Sequence, residues 1–362
     1  MKYLPRALLY ALFLCVAPAL ALAQIDCPAI VQTALDAADI MCQSTGRNQA
    51  CYGNIDITAQ PQAAAENFRF QVVGDTVNVS DLQSLKLSPM NEQTGAWGVA
   101  LLRLQANLPD TLPGENVTFL LFGDVEISNA VDASDTTQKP MQAFRLKTGV
   151  SDATCEEAPE SGLLVQTPEG ADQIAFNVNG VDVSMGSTVL FQADPDEGMS
   201  VSTLEGAAFV AAEDGAQPIV PGSWVRIAID NQLQASAAPE LPESYERRTR
   251  ILQNLPIRLL QRKIQIAAPL TPEQLQAVKD RLRAGELPCG EDPFPSCEKF
   301  AQFLRPRIEL CRTLPVGQRP RYCPRLALFM RNVVFPAATM TAEAGGQLFT
   351  PPTETPPATP SG

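Results

Sequence analysis

The chain has 362 residues, 45% of them hydrophobic, and a formal net charge of −13, enough apolar material for two or three folded units with real cores. It contains no histidine, which excludes every Ser-His-Asp, Cys-His and His-ligated metal site and leaves carboxylate, Lys, Tyr or Cys chemistry. Residues 24–240 carry 8 Lys+Arg against 29 Asp+Glu, whereas residues 241–362 carry 17 against 11, so the acidic front half repels phosphates and nucleic acid is not an expected partner.

Residues 1–23 have the pattern of a secretory signal: Lys2 and Arg6, the apolar run ALLYALFLCV, then Ala21-Leu22-Ala23 as a small-residue cleavage site. Cleavage after Ala23 gives a secreted, extracytoplasmic chain starting at Gln24. Eight cysteines then remain: Cys27, Cys42, Cys51, Cys155, Cys289, Cys297, Cys311 and Cys323. An oxidising compartment favours disulfides, two within each group of four, and each group admits three connectivities that spacing does not separate. Zinc suits them less well, because there is no paired CxxC and no histidine. No metal or other cofactor is expected.

In chain order, Cys27–Cys42 reads as a helix: Pro28 suits its first turn, Asp26 or Cys27 its cap, and Val31, Leu35, Ala38 and Cys42 its buried stripe. With the turn that follows it forms a cysteine-stapled unit over 24–54. Residues 55–150 read as a β-rich domain, with FRFQVVG, DTVNVSDLQSLKL, WGVALLRLQ and VTFLLFGDVEI as strands between Gly and Pro turn signals. In ALLRLQANLP the alternation is less clean and a helix competes. Asn78 and Asn116 begin glycosylation sequons, a short and common pattern. The polar DASDTTQKP marks a boundary, and SDATCEEAPESG is a loop whose Cys155 is expected to join a cysteine of the first helix region. Residues 151–232 form a second β-domain, with Asn179-Gly180 as a two-residue hairpin turn and further turns at 194–198, 205–206 and 213–215.

Within that stretch, Gly186-Ser187-Thr188-Val189, then Val201-Ser202-Thr203-Leu204-Glu205-Gly206, then Val220-Pro221-Gly222-Ser223-Trp224 resemble the FecR-like domain, a β-rich extracytoplasmic module. The likeness covers about seventy residues, 162–230, and rests on turn glycines and alternating apolars. It implies a fold and a compartment. The regulatory members' cytoplasmic anti-sigma segment and membrane span are not found here, so sigma-factor signalling is not implied. The expected fold class is mainly β, a sandwich, roll or short β-solenoid of FecR-like type, with a small disulfide-stapled α-helical C-terminal region.

Residues 233–270 read as a linker and wrapping segment, in which Pro256 ends a helix of two to three turns and an extended stretch follows. Thr271-Pro272-Glu273-Gln274 is a helix start with a capping box, Leu275, Val278 and Leu282 its buried stripe and Gly285 its end. Ser296 caps a second helix burying Phe300, Phe303 and Leu304, with Pro306 bending it, and Cys323-Pro324 opens a third; together they make a Cys-rich helical region over 271–340. The Pro/Thr-rich 341–362 reads as a disordered tail.

Three constellations are tested for chemistry. Asp194, Asp196 and Glu197 resemble the start of a calcium loop but lack its other ligands. Glu156, Glu157 and Glu160 offer carboxylates without a spacing that marks a glycosidase pair. Ser187 and Ser223 have glycine neighbours but no nucleophile elbow. Each reads as structural. The expected function is therefore that of a secreted, non-enzymatic interaction, scaffolding or sensing protein, with an unknown protein or glycan partner. The alternatives are a secreted carboxylate-dependent hydrolase, or a peripheral membrane-surface binder using the basic segment 247–266.

Overall fold

The computed structural model describes residues 26–105, 116–131, 141–149, 158–168, 173–248, 252–291 and 294–331. Residues 1–23, where a signal is expected, Cys155 with Glu156 and Glu157, and the tail 341–362 lie outside that set. The described part is mostly β, as expected: fifteen strands in one curled, half-barrel sheet, with four helices outside it.

The strands in chain order are β1 (Gln49–Tyr52), β2 (Ile57–Pro61), β3 (Thr76–Asn78), β4 (Leu82–Leu87), β5 (Val99–Gln105), β6 (Asn116–Phe122), β7 (Val125–Asn129), β8 (Ala143–Thr148), β9 (Gly162–Gln166), β10 (Ile174–Val178), β11 (Val181–Asp194), β12 (Gly198–Ala212), β13 (Gly215–Ile219), β14 (Ser223–Ile227) and β15 (Glu243–Ser244). The helices are α1 (Cys27–Met41), α2 (Pro272–Ala284), α3 (Cys297–Thr313) and α4 (Cys323–Phe329).

The long hairpin β11–β12 is the spine on which the sheet folds. Its strands pair from Asp182↔Ala211 to Asp194↔Gly198, with a register shift between Thr188 and Val189. Before the shift β11 is flanked by β10; beyond it the neighbour is β9. In the same way β12 pairs β14 through Met199–Thr203 and β13 through Ala208–Ala212. From β10 the sheet runs through β8, β7 and β4 to β2; from β9 it runs through β6, β5 and β1 to β3. Strands from 55–150 and from 162–230 thus interleave in one sheet, and the polar boundary near 132–140 does not separate two sheets.

Both faces of the spine are buried, which explains its near-continuous apolar sequence. Along β12, Ala208, Val210 and Ala212 face the inner core shared by both halves, while Ala207, Phe209 and Ala211 face the helices. In β6, Phe119 and Leu121 point inward, and Leu120 and Phe122 pack toward α1. The centre of the inner core is aromatic: Phe176 lies 5.7 Å from Phe119 and from Phe191, and 5.8 Å from Phe144. Offset and edge-on aromatic contacts of this kind add to simple area burial.

Local signals place the covering elements. Pro28 occupies the first turn of α1, and Ile30, Val31, Ala34, Leu35 and Ala38 bury its stripe; Asp26 is the N-cap residue but makes no side-chain cap bond. Thr271 and Gln274 form the reciprocal capping box of α2, and Gly285 ends it at φ 77°. Ser296 accepts from Lys299 N at the start of α3, which continues through Pro306. Phe300, Phe303, Leu304 and Phe329 then seat the helices on Phe209 and its neighbours. The bridges join Cys42 to Cys51, Cys289 to Cys297 and Cys311 to Cys323. Cys27 is disulfide-bonded as well.

Several local expectations are corrected. FRFQVVG is not a strand: the Asp75 carboxylate accepts from the backbone N–H of Gln71 and Val72, at 2.9 and 3.0 Å, and closes a turn there. VTFLLFGDVEI is two strands, β6 and β7, broken at Gly123 with φ 77°, where a Cβ would meet Ser161 Oγ at 2.4 Å. Between β3 and β4 the turn Val79–Asp81 interrupts the strand expected over 75–87. ALLRLQ, by contrast, is strand β5 as expected, and the competing helix does not form there.

Candidate functional site

The basic C-terminal part of the chain is bound to the acidic β-body residue by residue. The wrapping segment buries Leu255 and Leu260 on the outer face formed by Leu164, Leu190 and Leu204. Beside them, at the bend of the spine, Arg262 grips Glu205 with both terminal nitrogens, Nη1–Oε1 at 3.1 Å and Nη2–Oε2 at 2.6 Å. Arg262 Nη2 also donates to Ser187 Oγ at 2.9 Å, and that hydroxyl donates to Glu205 Oε2 at 2.8 Å. Gln166 completes the clamp, accepting from Arg262 N and donating to Arg262 O, each at 2.9 Å. Ser187 is thus committed to a structural cluster.

Burial pushes the Glu205 carboxyl up, but the hydrogen bonds from Arg262 and Ser187 outweigh it and hold the group below the usual carboxylate range. A carboxylate kept ionised in this way is the opposite of a general acid. Because its folded-state pKa is depressed, its contribution to stability is present above the unfolded value and is lost as pH falls through the folded one. Glu205→Gln is expected to cost about 1 kcal/mol at pH 7 for this half-exposed pair. The difference should vanish in acid below the ordinary carboxylate range. Urea midpoints of both proteins at the two pH values check this, and an undiminished difference in acid would overturn it.

Two further arginines of 247–266 are likewise engaged. Arg258 reaches Asp36 of α1 at 2.6 Å. Arg248 stacks 4.4 Å above the Trp224 ring and donates to Gln192 Oε1 at 2.8 Å. Burial lowers its pKa to about 10, against the opposing charges of Glu160 and Glu197. Arg248, Arg258 and Arg262 are therefore turned onto the body, while Lys263 of the same segment is exposed.

A third contact fastens the helices. Arg307 of α3 is buried over Phe209 and donates to Ser184 Oγ. Asp182 accepts from Tyr322 OH at 3.3 Å and from Asn177 Nδ2 at 2.9 Å. Burial, with the Asp182 charge beside it, pushes the Tyr322 phenol up to about 12.

The remaining candidates fall into turns. Asp194 Oδ1 accepts from Asp196 N at 2.8 Å and Glu197 N at 3.3 Å, capping the β11–β12 turn. Among the described residues no group of three or more His, Cys, Asp or Glu could hold a metal ion. Ser223 Oγ is buried and donates to Val220 O at 2.7 Å. Asn78 donates to Asp81, and Asn116 is buried at the start of β6. Every described cysteine is in a disulfide. Family models, curated proteins and solved structures offer no match to this chain.

What sequence reasoning missed is an apolar surface. Ile40 is 73% exposed, Met41 44%, Ile55 42% and Val72 52%, and all four lie around the C-terminal end of α1. The Met41 side chain rests against Gly74 in the turn that carries Val72, and Gly53, in the turn that carries Ile55, abuts Ala38. The Cys42–Cys51 bridge ties the helix end to β1, so the surface sits on a rigid frame. The signal was available in part: Ile40 falls opposite the buried stripe of α1, where an apolar side chain has no core to enter, whereas Met41 continues the stripe past its last buried residue, Ala38, and is left 44% exposed.

Proposed function

We propose that this protein works outside the cytoplasm as a non-enzymatic interaction scaffold, which holds an apolar contact surface at the end of α1 on a disulfide-stapled β-body. The observation that carries the reading is the exposure of Ile40 and Met41 at the disulfide-anchored end of α1, with Ile55 and Val72 exposed in the bends beside it. The signal pattern of residues 1–23, with cleavage after Ala23, supports the compartment. So do the three bridges, which suit an oxidising environment. The FecR-like pattern at 186–224 agrees with it, and no described helix is long and apolar enough to cross a membrane. The partner chemistry is a protein surface with an apolar centre, since aliphatic anchors gain by leaving water and a glycan offers them little.

The test uses the mature chain, residues 24–362, on peptide and glycan arrays. Binding to apolar-centred peptides is expected, weakened about tenfold by the double change Ile40→Asp and Met41→Asp. Both side chains are exposed, so the fold should survive, which circular dichroism checks. Binding indifferent to the double change would defeat the assignment of the surface. Turnover of any peptide or glycan, abolished by a single Asp or Glu change, would defeat the non-enzymatic reading.

A further inference from the structure

We propose that the disulfide-closed loop between α3 and α4 docks on an anionic lipid surface, with Val316 inserted at its tip. In a chain that is acidic overall, residues 310–331 hold five arginines and no Asp or Glu; Arg325 donates to Leu282 O and lies over Phe329, while Arg312, Arg319, Arg321 and Arg331 are exposed. The Cys311–Cys323 bridge closes the loop at its base. At the far end Val316 is 80% exposed, the most exposed large hydrophobic residue among those described, and Leu310 near the base is 41% exposed. A Cβ added at Gly317 would meet nothing within 4 Å, so the tip stands clear of the body.

The loop is shaped before it meets anything. Gln318 N donates to Pro315 O at 2.8 Å, and Arg319 Nε donates to Leu314 O at 2.9 Å. Pro315 and Pro320 restrict the backbone on either side of the tip. A preformed tip loses little conformational entropy on docking. Arg321 lies 3.5 Å from Glu213 but is 78% exposed; a solvated pair of that kind holds its partner weakly.

The chemistry favours lipid over an acidic protein groove. A protein interface buries several side chains at its centre, whereas this tip offers a single small aliphatic side chain near four exposed arginines, 312, 319, 321 and 331. Neither signal is sufficient alone, but shallow insertion and attraction to anionic headgroups add. The loop is distinct from 247–266, whose Arg248, Arg258 and Arg262 are engaged on the body.

The test is co-sedimentation of the mature chain with vesicles of phosphatidylcholine alone and of equal parts phosphatidylcholine and phosphatidylglycerol. Binding is expected only with phosphatidylglycerol and should fall as salt is raised. Val316→Asp should weaken it about tenfold or more, and Val316→Ser, which adds no charge, about threefold. Arg321→Glu should also weaken it. No binding to the anionic vesicles at low salt, or binding equal in wild type and Val316→Asp, overturns the proposal. Retention on polyglutamate beads as strong as on vesicles, and unaffected at Val316, would overturn it in favour of an acidic protein partner. Ile40 and Met41 take no part, so this result stands or falls separately from the α1 surface.

Discussion

Replacing Gly206 with alanine is expected to destabilise the fold by about 3 kcal/mol or more. Gly206 sits opposite Ser187 in the spine, one residue from the clamp at Glu205, with φ 76°. A Cβ there would stand 2.1 Å from both Gly186 O and Ser187 Cβ, so relief requires the two longest strands to move apart. The left-handed backbone alone costs an alanine about 1 kcal/mol, and the clash adds to it. Against a typical total stability of about 5–15 kcal/mol, that is a large share. The damage should spread, because Ser187 and Glu205 hold Arg262 and through it the wrapping segment. Urea denaturation reads the effect directly. Gly317→Ala, in open space, serves as the matched control and should shift stability by no more than about 0.5 kcal/mol. An unchanged midpoint for Gly206→Ala would show that the spine relaxes around a side chain.

Reduction of the disulfides should have the second large effect. The helical region shares its core with the sheet: Phe300, Phe303, Leu304 and Phe329 pack with Val278, Leu282 and Leu326 of the helices and with Phe209, Ala207 and Ala211 of the sheet. Its two bridges, at sequence separations of 8 and 12, restrain the α2–α3 and α3–α4 connections. Short closed loops of this size contribute about 2–3 kcal/mol each. Losing these two and Cys42–Cys51 should lower Tm by on the order of 10 °C or more for a chain of this length. The helices should loosen before the sheet, because Arg307 and one apolar layer are then their main attachments. Thermal melts followed by circular dichroism, with thiol counting to prove reduction, measure this. A fully reduced protein with an unshifted Tm would mean that packing alone holds the helices. Mass mapping of the oxidised chain from Gln24 onward should return the three bridges described and join Cys27 to Cys155, the one cysteine of 24–362 left over.

Short-range signals were legible in the chain. Pro28, the Thr271–Gln274 box, Gly285 and Ser296 each act on backbone groups within a few residues, and each ends or starts a helix where its chemistry says. The Asn179-Gly180 hairpin and the mostly β character followed from the same local rules. The failures were local competitions decided by one side chain: Asp75 captured two N–H groups and bent FRFQVVG out of the sheet. Glycine 123 turned an apparently continuous apolar run into two strands.

Partner choice lay beyond the sequence. Alternation says that a strand has two faces but not which strand lies beside it, so β10 lies parallel to β8 and β9 against β6 with no local sign of either. The divided charge of the chain was plain in its composition, yet only the tertiary structure shows what it does. It brings Arg262 to Glu205 and Arg258 to Asp36, partners 57 and 222 residues apart, and so takes up cations that looked free. The same folding leaves Ile40, Met41 and Val316 in water, because burial depends on what packs against a side chain, and that is set by contacts distant in the chain.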